Sequence, residues 1–411
     1  MQPKIYTADD HHVRDELINE HALSVLRELQ EAGYIAYLVG GGVRDLLLGK
    51  QPKDFDISTS ARPEEVKEVF GRRCLLIGRR FRLAHVRFGK EIIEVATFRA
   101  GDVDDESLIT RDNIWGTPEE DVLRRDFTIN GLLYDPTDHK IIDYVGGFDD
   151  LQKHLLRSIG DPIKRFRQDP VRMLRALKFR ARFDFKINPD VDEAIFECRQ
   201  EILKSAPARL LEELLRMLES GASQPFFDLM LQHRLLDLLL PTVAETLRGE
   251  AGHDVRTYLK AADEWMQTKP PEPPDRAALA SSLLYPLLDK ALHLHFLDKG
   301  KVPSLSVIHG LCADLIQDAF VDIYPRFTRR LCYTALFVLD AQYRMTPLTK
   351  RKIAGGRLIK HPDFRPAVQF LRIRSLVNPE LRETYETWRD LAPPPSERRP
   401  PKRRPRRRRR R

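Results

Sequence analysis

Residues 38–57 read LVGGGVRDLLLGKQPKDFDI. A β-rich run over 34–39 enters three consecutive glycines, Gly40 to Gly42, and the pattern turns helical over 43–48. Consecutive glycines let a backbone approach a ligand closely, and free amides at a helix start favour phosphate, with Arg44 within reach of a phosphate oxygen. Tight turns need glycine too, so the turn alone decides nothing. Asp54-Phe55-Asp56-Ile57 follows within fifteen residues. In a strand, Asp54 and Asp56 share one face at about 7 Å between Cα atoms, while Phe55 and Ile57 enter the core. Two such carboxylates repel unless a cation lies between them. A pair of magnesium ions answers that need, because hard cations prefer carboxylate oxygens and leave positions for triphosphate oxygens.

A third acid extends the pattern. Residues 92–97, after a turn at Gly89-Lys90, form an apolar strand carrying one glutamate, Glu94. An unpartnered carboxylate inside a sheet costs several kcal/mol, so Glu94 needs a cation, a metal or a donor; a strand beside that of Asp54 and Asp56 would complete a metal triad. The plainer alternative for each acid is a solvent-facing strand residue.

Around this centre, residues 14–32 carry Leu17, Ile18, Leu23, Leu26 and Leu29 at helical spacing with Gly33 as a stop, and a further helix spans 63–70. Residues 101–122 are polar, acidic and weakly periodic, which predicts a mobile loop. After Asp161-Pro162 the pattern is helical. Asp169-Pro170 reads as an N-cap with proline at the first helical position, and 208–218 places leucines on one face. Pro270, Pro271, Pro273 and Pro274 mark a loop in the helical half.

Hydrophobic content of 42% with 32% charged residues fits a folded, soluble chain. No apolar run approaches the roughly 20 residues of a membrane span, and the first residues lack a signal-peptide core, so a cytoplasmic protein is expected. Cys74, Cys198, Cys312 and Cys332 lack paired short spacing and read as reduced, mostly buried thiols. His293 and His295 lie in an apolar run and read as packing residues rather than ligands. Residues 398–411 hold eleven of the 69 basic residues, leaving 58 against 61 acidic ones. The net charge of +8 therefore belongs to an arginine-rich tail, expected to be disordered and to bind a polyanion.

LVGGGVRDLLLG followed by KDFDI resembles the head-domain motif of the nucleotidyltransferases that include bacterial CCA-adding enzymes and poly(A) polymerases, within the polymerase β-like superfamily. EVATFR at 94–99, RRDFTIN at 124–130 and DPVRMLRALKF at 169–179 follow in the order of that family. The resemblance implies an α+β fold: a head with a mixed sheet over 1–160, a helical base-recognition neck over 161–235, an all-α RNA-binding body over 236–392 and the basic tail over 393–411. It implies that Asp54, Asp56 and Glu94 bind two magnesium ions, and that Gly40, Gly41 and Arg44 hold the triphosphate of ATP. It brings Arg125 and Asp126 into the active site, the latter as a further catalytic acid. Asp169, Arg172 and Arg175 would form a protein template for the base. The family commonly has glutamate before that aspartate, and Gln168 stands here, without the charge that could orient an arginine.

LLIGRRFRLAHV at 75–86 is similar to the segment that marks the poly(A) polymerases, although its alternation also fits a plain strand with Arg79, Arg80 and Arg82 solvated. The expected activity is template-independent addition of adenylates to RNA 3′ ends. CCA addition to tRNA is the alternative, and a catalytically silent RNA-binding protein is the non-enzyme reading. The tail suits RNA phosphates, contact with RNA-degradation proteins, or an anionic membrane surface.

Overall fold

The computed structural model describes residues 2–78, 83–101, 114–270, 272–321, 329–348 and 356–392. Arg79, Arg80 and Arg82, most of the acidic segment 101–122 and the whole tail 393–411 lie outside these residues. The described chain forms two compact units, residues 1–209 with 232–238, and residues 210–231 with 239 onward.

The described residues of the first unit include the strands β1 (Lys4–Tyr6), β2 (Ala36–Val39), β3 (Asp56–Thr59), β4 (Cys74–Ile77), β5 (Leu83–Phe88), β6 (Glu91–Thr97), β7 (Arg99–Ala100), β8 (Ile114–Trp115), β9 (Leu132–Asp135) and β10 (Lys140–Asp143), besides a short parallel pair of Leu155–Leu156 with Lys186–Ile187. Eight of them form one mixed sheet in the order β1-β10-β9-β2-β3-β6-β5-β4, and β7 pairs with β8. Within the eight, β3 and β6 run parallel and their neighbours antiparallel. The helices of this unit are α1 (Glu20–Glu31), α2 (Gly41–Leu47), α3 (Pro63–Phe70), α4 (Pro118–Leu123), α5 (Gly147–Gln152), α6 (Pro162–Gln168), α7 (Val171–Phe183) and α8 (Pro189–Cys198).

Register decides what each face of the sheet carries. One row of partners crosses seven strands as Leu75, His85, Glu94, Asp56, Val39, Leu133 and Ile142. At its Val39 end the row is covered by Val122 of α4 and by Ile159. At its centre it presents Asp56 and Glu94 to solvent. Successive side chains alternate, so Leu38, Ile57, Val95 and Ala84 point to the opposite face, where all four are buried. The helices α1 and α3 lie against these strands and bury Leu26, Leu29, Val66 and Phe70. Burying each such side chain contributes about 1.5–3 kcal/mol, and it is this face that carries the stability of the sheet.

Most of the segment expected to be a mobile loop lies outside the described residues; its described end, from Ile114, runs into a helix. Pro118 opens α4, Thr117 Oγ1 accepts from the Glu120 amide, and the Glu120 carboxylate accepts from the Thr117 amide. That reciprocal cap with proline at the first helical position starts a helix even in an acidic run. Asp169 does not cap α7. It closes α6 in an extended conformation (φ −146°), while the cap with a following proline is made by Asp161, which accepts from the Lys164 amide at 2.8 Å. Asp169 instead turns its side chain to Arg209.

The second unit is helical among its described residues. Its longest helix, Arg276–His295, is buried along most of its length and packs against Gly252–Gln267, Arg329–Met345 and Phe364–Val377. Arg276 forks onto Glu212 and Glu219 at 2.7–3.0 Å and fastens that helix to Pro207–Leu218. His293 and His295 are exposed rather than packed, and His293 Nδ1 stands 3.1 Å from Asp298; the helix has rolled its ends out of the core. Cys74, Cys198 and Cys312 are buried free thiols, and Cys332 is half-buried. Among the described residues no helix is long and apolar enough to cross a membrane.

Gly147 opens α5 so close to the 126–130 turn that a Cβ would stand 2.0 Å from the Thr128 carbonyl oxygen. Gly147→Ala is expected to destabilise the first unit by about 3 kcal/mol or more in denaturant unfolding, because backbone rather than a flexible side chain must yield.

Candidate active site

Asp56 begins β3, and its register partner across the parallel pair is Glu94. Asp54 lies two residues ahead of the strand, so alternation does not place it. The packing of α2 does: Gly42 lies against the Asp54-Phe55 backbone, where a Cβ would stand 3.4 Å from the Asp54 carbonyl oxygen. Three carboxylates thus gather at one edge. Asp56 keeps a solvent-facing side, yet enclosure by surrounding protein, then Glu94, then Asp54 push its pKa up to about 6, with Arg125 opposing. Glu94 is half-exposed and its Oε1 lies 3.4 Å from His85 Nε2, so it is not the desolvated acid that an apolar strand pattern suggested.

The donor set at Asp54, Asp56 and Glu94 is hard oxygen throughout. Among the described residues no group of three His, Cys, Asp or Glu side chains is arranged to hold a metal ion by itself. Magnesium binds through one or two carboxylates and completes its shell with water and substrate phosphate oxygens. Asp54 and Asp56, with Glu94 beside them, could hold such ions.

Gly40 has φ +67°, a conformation that side chains rarely adopt, and a Cβ there would meet Arg125 Nη1 at 3.1 Å. Gly41 follows as the first residue of α2. Arg125 lies beneath this turn, donating to Asp121 Oδ2 at 2.8 Å and to Ser58 Oγ at 3.4 Å. Arg44, expected to reach a phosphate, is buried: it donates to Asp45 and, at 2.7 Å, to Asn130 Oδ1, and it stacks on Phe179 and Phe183. It braces the start of α2 rather than facing outward, because two carbonyl-type acceptors and two aromatic faces surround it.

Asp126 is also buried and does not join the acids at the sheet edge. Its Oδ1 accepts from the Phe127 amide at 2.8 Å and from Asn130 at 3.0 Å, and its Oδ2 lies 3.0 Å from Arg175. Burial alone would raise its pKa; Arg175, Asn130, Arg172 and the Phe127 amide outweigh it and hold the pKa below the ordinary value. Asp126 therefore bonds to the 126–130 turn and to α7 rather than standing beside Asp54, Asp56 and Glu94.

On α7 the expected row is split. Arg175 turns to Asp126, and Arg172 donates through Nη2 to the Arg124 carbonyl at 2.8 Å. Among the described residues, Arg172 Nη1 and Asp169 Oδ1 are buried without hydrogen-bond partners. A donor and an acceptor three residues apart are left for a ligand. Gln168 is buried and accepts from Arg165 at 3.1 Å, so it supports a neighbouring arginine without a charge of its own. Asp121 and Asn130 emerge as organising residues that sequence alone did not single out; RRDFTIN contained the second, and a buried acid one turn before paired arginines was the available sign of the first.

The chain matches the family model described as Poly A polymerase head domain over residues 36–157, and that described as Probable RNA and SrmB- binding site of polymerase A over residues 184–247. Poly(A) polymerase I of Salmonella typhi is 38% identical over 94% of this chain and 85% of its own length. The chain belongs to the bacterial poly(A) polymerase I family. It is accordingly an enzyme of the nucleotidyltransferase class. The poly(A) polymerase I of Haemophilus influenzae is 37% identical over 90% of this chain and 84% of its own length. A CCA-adding enzyme of Lactobacillus helveticus is 38% identical but over only 52% of this chain. The CCA-adding enzyme of Bacillus stearothermophilus, solved with CTP, superposes with a TM-score of 0.62 at 25% identity, covering 90% of this chain and 81% of its own.

A carboxyl harder to ionise in the folded than in the unfolded chain makes stability fall as pH rises from 3.8 to about 6, since the unfolded state gives up its proton first. In EDTA, Asp56→Asn is expected to melt above the parent at pH 7, with the gap closing toward pH 4. Magnesium should raise the melting temperature of the parent more than that of Asp56→Asn in the same thermal scans.

Proposed function

We propose that this protein adds adenylates from ATP to RNA 3′ ends without a template and releases pyrophosphate. The observation that carries the proposal is the open acid edge at Asp54, Asp56 and Glu94, tied through residues 121–130 to an unsatisfied donor and acceptor on the 169–172 segment. Asp54 and Asp56, with Glu94, would hold two magnesium ions; bound there, they supply activation of the RNA 3′-hydroxyl and neutralisation of the triphosphate. The amides that open α2 after Gly40 and Gly41, backed by Arg125, would bind phosphate oxygens. Arg44 would keep that turn in place. The helical neck and body, with the arginine-rich tail, would grip RNA through its phosphates in the cytoplasm.

Base choice follows from hydrogen-bond polarity. Asp169 Oδ1 accepts from an exocyclic amine, and Arg172 Nη1 donates to a ring nitrogen beside it. Adenine and cytosine offer that pair; guanine and uracil offer the reverse. Asp126 and Arg175 would fix the helix that presents it. The same pattern serves CCA addition, the reading favoured by the likeness to the Bacillus stearothermophilus enzyme.

Extension of a tRNA lacking CCA and of an unstructured oligonucleotide, with each nucleotide separately, distinguishes these. Long ATP-dependent extension of both is expected; addition confined to CCA on the tRNA would move the assignment. Asp54→Ala should lower incorporation on the order of a thousandfold while RNA binding in filter assays is retained. Asp169→Asn, which turns an acceptor into an amide able to donate, should narrow the kcat/KM preference for ATP over GTP and UTP by about tenfold or more.

A further inference from the structure

We propose that His85 is a positioning residue for Glu94. The inference rests on the reading of Glu94 as a metal ligand and adds to it the group that aims the carboxylate. His85 on β5 and Glu94 on β6 are register partners, so both side chains stand on the face that carries Asp56. The imidazole Nε2 lies 3.4 Å from Glu94 Oε1, and its side chain is only 16% exposed against 52% for Glu94. A half-exposed glutamate has three soft torsions and a like charge on its other flank at Asp56. Repulsion alone would swing it outward into water. A neighbouring ring anchored in the sheet and carrying Nε2–H would hold Oε1, 3.4 Å away, and would leave Oε2 free to bind a cation. Outer groups of this kind set the orientation of a metal ligand, and their loss commonly costs about 10–100-fold in metal affinity.

The test is a double-mutant cycle on the full-length protein, read by manganese binding in isothermal titration and by the magnesium concentration for half-maximal ATP incorporation. His85→Ala is expected to weaken manganese binding about tenfold and to raise the half-saturating magnesium by a similar factor, with activity recovering at high metal. His85→Gln, which keeps a donor of similar reach, should restore most of the affinity; a purely space-filling role for the ring would not separate these two variants in metal dependence. In a Glu94→Gln background His85→Ala should add nothing. Unchanged metal affinity in His85→Ala, with Glu94→Gln weakened, overturns the positioning role and leaves Glu94 as a ligand. If Glu94→Gln itself binds manganese like the parent, the ligand reading fails and the positioning role with it.

Discussion

The parallel pairing of β3 with β6 sets Asp56 directly beside Glu94 and so fixes two like charges at the spacing of adjacent strands. Strands lie about 4.8 Å apart, so enclosure by protein and then the neighbouring Glu94 carboxylate push the pKa of Asp56 up, with Arg125 opposing. The protein tolerates the arrangement because the reverse face of those same strands is packed with Ile57, Val95 and the apolar faces of α1 and α3. Stability sits on one side of the sheet and unsatisfied charge on the other, which is how an active site is expected to trade stability for chemistry.

The segment 121–130 carries that charge pattern onward to α7. Asp121 holds Arg124 and Arg125; the Arg124 carbonyl holds Arg172; Asp126 holds Asn130 and Arg175; Asn130 holds Arg44. Such ion pairs, with one or both partners buried, gain little net stability, since desolvation offsets attraction. Their effect is geometric: each fixes the direction of a guanidinium that would otherwise sample many rotamers. Ten residues thereby connect the glycine turn near the acids to α7.

Residue type and alternation made the acids legible, since Asp56 and Glu94 interrupt otherwise apolar strands, and the α+β division followed from the change of period after residue 160. What stayed hidden depends on spatial partners. Two Asp-Pro pairs look alike, yet Asp161 caps a helix while Asp169 is drawn to Arg209, which is forty positions away in sequence. The motif associates Arg44 and Asp126 with the site, but their burial and their contacts with Asn130, Phe127 and Arg175 arise only once the turn at 126–130 folds against α2 and α7. His85 reads as one alternating residue of β5 until register sets it against Glu94. The cap at Thr117 to Glu120 was readable and was masked by the acidity of its surroundings.

Selecting a base without a template requires that the unselected base be penalised rather than merely less attracted. A buried donor or acceptor left unmade costs about 1–3 kcal/mol, so under the proposed reading Arg172 Nη1 and Asp169 Oδ1 would act against any base that faces donor with donor. That penalty exists only while both atoms are held still. Asp169 is pinned by Arg209 through its other oxygen, Arg172 by the Arg124 carbonyl through its other terminal nitrogen, and α7 by the edge-on packing of Phe179 against Phe127. Were any of these slack, the side chains would turn to satisfy one another or water, and a mismatched base would meet no unpaired group. Under the proposed reading, the rigidity of the buried network would itself be the source of discrimination.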